Sequence, residues 1–197
     1  MSNSQKALAS VLVVGVLGSV VALGVFGLFS ATTQNSGNEI SAGTIAISDN
    51  DSGSAMFNIT NAKPGDVWTR CIKISYNGSL PADVKLYELG GGGPLSPYLT
   101  LKLEQGTQAE STFPSCTGFT PDGTNGSGTI YQGQAFGSIG NSYETGAPVV
   151  PFGKSVWNPG ESLVFRATIT FDGAAPEQAQ GSTTSAFTIV AEARNDS

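Results

Sequence analysis

An uncharged, apolar stretch from Ala7 to Phe29 runs directly into a Ser-, Thr- and Gly-rich chain in which apolar and polar residues alternate. The two halves obey different rules, so this seam constrains the fold more than any other feature. The apolar run is 23 residues, long enough to cross a bilayer. Lys6 gives it a short basic start, and Val25 and Gly27 are small enough for the −3 and −1 subsites of a signal peptidase. Gly15, Gly18, Gly24 and Gly27 weaken it as a permanent helix. The seam predicts a signal peptide over residues 1–27, with a retained membrane helix as the alternative. Either way the remainder lies outside the membrane. A cut after Gly27 would free Leu28, Phe29, Ser30, Ala31, Thr32 and Thr33, an apolar, β-prone N-terminal strand.

Removing residues 1–27 leaves 170, a comfortable size for one all-β domain with its own core. Charged residues make up only 12% of the chain, about half the usual share. Glycine is abundant at 26, which suits short strands joined by many turns. The remaining chain carries eight basic against fifteen acidic side chains. An acidic chain without a basic patch argues against nucleic acid or anionic lipid as partners. Its simplest consequence is solubility outside the cell. Cys71 and Cys116 fit an oxidising compartment, where an even pair most simply forms one disulfide. Closing a loop of ~45 residues is worth ~4 kcal/mol in the chain-entropy model. Two unrelated free thiols are the alternative.

Beyond the seam, residues 28–38 read as a donor strand and linker, and the domain proper spans 39–197. Thr44–Ile47 is a short strand, and Asp49-Asn50-Asp51-Ser52-Gly53 is a turn cluster. Ala55, Phe57 and Ile59 alternate with Met56, Asn58 and Thr60, which predicts a half-buried strand. Lys63-Pro64-Gly65-Asp66 is a Pro-Gly turn. Val67–Tyr76 places Trp68, Arg70, Ile72, Ile74 and Tyr76 on one face. Val84 and Leu86 mark a further strand, and Leu99, Leu101 and Leu103 another. Residues 105–154 are rich in Gly, Ser, Asn and Pro and read as a loop-rich insertion tied to the sheet through Cys116. The two clearest strands come last. One presents Leu163, Phe165, Ala167, Ile169 and Phe171 to one side, and the other presents Phe187, Ile189, Ala191 and Ala193. Many short strands and no amphipathic helix predict an all-β, jelly-roll-like β-sandwich.

The chain offers little catalytic chemistry. It has no histidine, which removes Ser-His and Cys-His nucleophile activation and the HExxH zinc site. Gly90–Gly93 has neither the lysine nor the helix of a phosphate loop. Glu104 and Glu110 read as solvated acids, so no catalytic residue is expected. Asp49-Asn50-Asp51 offers oxygen ligands but lacks the spacing of an EF-hand loop, so it reads as a plain turn. No metal site or cofactor is assigned, with calcium at a subunit interface as the alternative. Asn58, Asn77, Asn125 and Asn195 each begin an N-glycosylation sequon.

Phe29-Ser30-Ala31-Thr32 followed by Ala42-Gly43-Thr44 resembles the mature start of the TasA/camelysin family. Ile59-Thr60-Asn61-Ala62-Lys63-Pro64-Gly65-Asp66 is similar to that family's Asn-Leu-Lys-Pro-Gly-Asp turn. The strand to Tyr76, the turn Asn77-Gly78-Ser79 and the return through Val84 also fit. So do Asn158-Pro159-Gly160-Glu161 and Gln180-Gly181, each placed before a strand. The resemblance implies secreted jelly-roll subunits of biofilm-matrix fibres, similar to archaeal bundling pili, in which an N-terminal strand inserts into the next subunit. The 105–154 stretch and the cysteine pair depart from the pattern. The metalloprotease label attached to camelysins finds no histidine to support it here.

Strand insertion also follows from physics, since an unpaired sheet edge invites strand addition. A head-to-tail contact that does not close makes a filament. The chain is thus expected to be a homopolymeric structural subunit, not an enzyme, joined by residues 28–33 and their neighbour Gln34. Its further partners would be other matrix or cell-surface components. A membrane-anchored monomeric adhesin is the alternative reading. A hydrolase using Glu104 or Asp49 is the third.

Overall fold

A computed structural model describes residues 43–123, 128–136 and 138–195. The signal segment 1–27, the donor strand 28–33 with its linker to 38, and Asn125 all lie outside the described residues. From Thr44 onward the chain forms one compact unit.

Among the described residues nine strands carry the fold: β1 (Ile47–Asp49), β2 (Val67–Tyr76), β3 (Asp83–Gly90), β4 (Leu99–Gln108), β5 (Phe119–Pro121), β6 (Thr129–Gln134), β7 (Ala147–Val149), β8 (Ser162–Phe171) and β9 (Phe187–Arg194). They form two antiparallel sheets. The larger runs β1-β2-β8-β4-β5, with β6 also paired to β4, and the smaller runs β7-β3-β9. The late strand β8 sits between β2 and β4, while β3 crosses to the other sheet. That wrapping makes a β-sandwich of jelly-roll type.

The alternation that marks these strands in sequence works as a burial code. The inward residues of β8, Leu163, Phe165, Ala167, Ile169 and Phe171, are 1–4% exposed. Opposite them, Val84 and Leu86 of β3 are equally buried. The core has two halves. One gathers around Tyr76, Trp157 and Phe165, the other around Leu101, Leu103 and Ile169, and Ile130 touches both. Trp157 is fully buried and donates its indole N–H to the Val149 carbonyl at 2.7 Å, as a buried tryptophan must find an acceptor.

The two central strands start from the same device. Pro64-Gly65 and Pro159-Gly160 occupy the middle of tight turns, with Gly65 at φ 90° and Gly160 at φ 84°. A second central residue at positive φ is the type II turn, which needs glycine there. The acid that follows folds back in each. Asp66 accepts from the Lys63 N–H at 2.8 Å, and Glu161 accepts from the Asn158 N–H at 2.7 Å.

Three expectations change. The strand expected over Thr44–Ile47 begins only at its last residue, as β1. The segment 55–60 is irregular, not a strand. Met56 and Phe57 still pack against the core, but no strand of the described residues pairs with this stretch. The apolar spacing records packing without a ladder. The 105–154 stretch contributes β5, β6 and β7, so part of both sheets comes from it. Its strands are short, and their alternation is too brief to show.

Cys71 and Cys116 form a disulfide with Cα atoms 5.1 Å apart. It ties the 109–118 segment over the outer face of the large sheet. Beneath it Glu104 accepts from Arg166 and from Lys102, each at 2.8 Å. Burial opposes the Glu104 charge, but these two partners outweigh it and hold the carboxyl below its usual range.

Candidate strand-binding groove

The sandwich is open along one side. Between the large sheet and β9 runs a cleft of about 560 Å³. Its floor is Ile72 and Ile74 of β2, Leu103 of β4, and Phe165 and Ala167 of β8. Phe187, Ile189 and Ala191 of β9 form the opposite wall, with Ile47, Met56, Phe57 and Ile59 along the rim.

The wall strand is incomplete in two senses. Phe187, Ile189, Ala191 and Ala193 face inward yet are all only half-buried, whereas Glu88, Leu86 and Val84, the β3 neighbours of the last three, are buried. The backbone of β9 is also open. Among the described residues it pairs with β3 alone. Glu88 sends its N–H away from β9, to the Gly140 carbonyl at 3.0 Å. In an antiparallel ladder the bonded pairs then fall on Tyr87 with Val190 and Leu89 with Thr188. The N–H and C=O groups of Phe187, Ile189 and Ala191 therefore point to the open side. A strand entering here would meet main-chain partners and apolar pockets together.

The other edges are blunted in ways that discourage addition. β1 is three residues long, β7 is three residues with Pro148 at its centre, and β6 carries a bulge opposite Leu103 and Glu104. Among the described residues β9, with eight residues and no proline or bulge, is the long open edge.

The turn 49–53 closes the end of the rim. Asp49 and Asp51 accept from the backbone N–H groups of Asp51 at 3.2 Å and Gly53 at 2.6 Å. Asn50 donates to the Ser111 carbonyl and accepts from the Lys73 N–H, each at 2.9 Å. The oxygens considered for a cation thus serve the loop itself. Glu104 is paired as described, and Glu110 is exposed in a bend.

On the outer face of the small sheet, Arg194 lies 4.1 Å from the Tyr143 ring centre and Lys85 4.7 Å from it. Arg194 also bonds Glu144 and Glu192, each at 2.7 Å. Glu144 accepts from its own backbone N–H, then from Arg194 and Ser142, and its carboxyl is held down to about 2. This cluster fastens the 140–146 turn to the sheet and leaves the groove untouched.

The sequons separate by environment. Asn77 donates to Ser48 at 2.8 Å and Asn195 to the Pro81 carbonyl at 3.0 Å. Asn58 is exposed on the irregular segment at the groove rim. Lys63, Pro64, Gly65 and Asp66 form the turn into β2 and lie outside the groove lining. The groove itself was not anticipated. Alternation in 187–193 was the available signal, but it does not reveal which strand lacks a neighbour.

Residues 3–89 match the family described as camelysin metallo-endopeptidase. No curated protein matches the chain. The family's description implies a metal, and the donors here do not fit one. The chain has no histidine, both cysteines are in the disulfide, and among the described residues no three metal-ligating side chains gather.

Proposed function

Because the chain belongs, through residues 3–89, to the TasA/camelysin family, we propose that it is a secreted structural subunit that polymerises head-to-tail into an extracellular, biofilm-type filament. The observation that carries this reading is the groove along β9, where backbone without a partner among the described residues and half-buried apolar side chains lie on one strand. The occupant is the Leu28–Gln34 segment of a second copy. In an extended strand Leu28, Ser30 and Thr32 face one way and Phe29, Ala31 and Thr33 the other. One set would fill the groove while the backbone extends the small sheet. Donor and acceptor are different surfaces, so the contact is heterologous and propagates. No peptidase step and no cofactor enters this mechanism.

The test is deletion of Leu28–Gln34 from the exported chain, read by negative-stain electron microscopy and circular dichroism. Filaments should vanish while the monomer keeps its β-spectrum. Ala191→Trp, which fills the groove and leaves the donor intact, should have the same effect. Normal filaments without residues 28–34 would overturn strand exchange. Monomers that retain Met1 at the membrane would point to the anchored adhesin instead.

A further inference from the structure

We propose that Asn58 carries an N-linked glycan, placed at the rim of the groove. Four sequons look alike in sequence, yet their side chains are not equally available. Transfer needs the asparagine amide nitrogen and the hydroxyl two residues later presented together on a segment that can leave regular pairing. Asn58 and Thr60 meet all of these conditions. Both are exposed, neither side chain makes a hydrogen bond to the described residues, and 57–60 belongs to no strand. Burial alternates along the segment. Phe57 and Ile59 are half-buried against the core and groove, while Asn58 and Thr60 are open.

Of the other sequon asparagines, Asn77 and Asn195 fall among the described residues, and both lack this freedom. The Asn77 amide is committed to Ser48. The Ser79 hydroxyl of the same sequon accepts from the Thr44 N–H at 2.8 Å, and Gly78 between them is buried. Modifying Asn77 would disturb the side-chain bond that its amide nitrogen makes to Ser48. The Asn195 amide is held by Pro81. Surface segments with few backbone bonds open locally at low cost, and glycans belong on such surfaces in exported chains.

The co-reactant is an oligosaccharide carried on a polyprenyl phosphate, delivered by a transferase outside the membrane. Asn58 Nδ2 bonds to the anomeric carbon of the first sugar. The carbon–oxygen bond to the phosphate breaks, the phosphate leaves with the electron pair, and Nδ2 gives up one proton. Nothing is oxidised or reduced.

Peptide mass mapping of the full-length protein purified from its producing cells tests this directly. The peptide containing Asn58 should carry a glycan mass increment in most molecules, and those containing Asn77 and Asn195 should carry none. Asn58→Gln and Thr60→Ala should each remove the increment completely, whereas Thr60→Ser, which preserves the sequon, should retain it. An unmodified Asn58 in the exported wild-type chain overturns the proposal, as does an increment on Asn77 in its place. The wild-type map decides even if a variant fails to fold, and filament formation plays no part in the readout.

Discussion

β8 and β9 are consecutive strands with nearly the same apolar alternation, yet they end in opposite situations. β8 lies between β2 and β4, and every inward side chain on it is buried. β9 has β3 on one side and nothing described on the other, and its inward side chains remain half-exposed. Their sheets differ in the same way. The large sheet is covered by a disulfide-tethered segment over a buried ion pair. The small sheet is fastened by surface charges around Tyr143. Alternation therefore marks which face of a strand is apolar, and neighbours determine whether that face is finished.

The contrast can be broken most forcefully at Phe165. Phe165→Ala should destabilise the monomer by about 3–5 kcal/mol in denaturant unfolding, since a large buried ring leaves a cavity. Replacing Cys71 and Cys116 together by alanine should cost about 2–4 kcal/mol by the same measurement, as the ~45-residue loop regains its freedom. Glu104→Gln leaves the part-buried Arg166 without its charge partner and should cost about 2 kcal/mol. Ile189→Ala, on the half-finished strand, should cost only about 1 kcal/mol in the monomer while weakening filaments. If Phe165→Ala and Ile189→Ala proved equal in the monomer, the distinction between the two strands would fail.

The smallest effect lies in the surface cluster and concerns pH. Glu144 is depressed from 4.5 to about 2 in the folded chain. A depressed carboxylate stabilises the fold above its unfolded value, and that contribution disappears as pH falls through the folded value. Wild type should therefore melt slightly above Glu144→Gln at pH 7, with the gap closing between pH 4.5 and about 2. High salt should narrow it at every pH, because the pair is exposed. A gap unchanged at pH 2 would show that Glu144 acts through packing.

Much of the fold was legible residue by residue. Val67–Tyr76 was read with the bounds that β2 has, and the faces of β4, β8 and β9 were assigned as they are found. The cysteine pair is joined. Short elements were harder. Thr44–Ile47 was expected as a strand, yet β1 is Ile47–Asp49, although Thr44 and Ala46 still accept from Ser79 and Asn77. Trp157 went unnoticed among glycines and prolines because its burial depends on the distant Val149 and Ala82. The groove could not be read at all. Its walls bring β2 and β4 together with β8 and β9, which come much later in the chain.

What the amino-acid order determined alone is local. Period-two alternation sets which side of each strand is apolar, Pro-Gly followed by an acid sets the turns into β2 and β8, and the absence of histidine narrows the chemistry. Tertiary structure alone decided which strand became an edge. Pairing order is a contest among all strands for a limited number of neighbours, and its outcome depends on loop lengths and on β5, β6 and β7 filling the other edges. With β8 at the centre of the large sheet, β9 has one partner among the described residues and an open groove beside it.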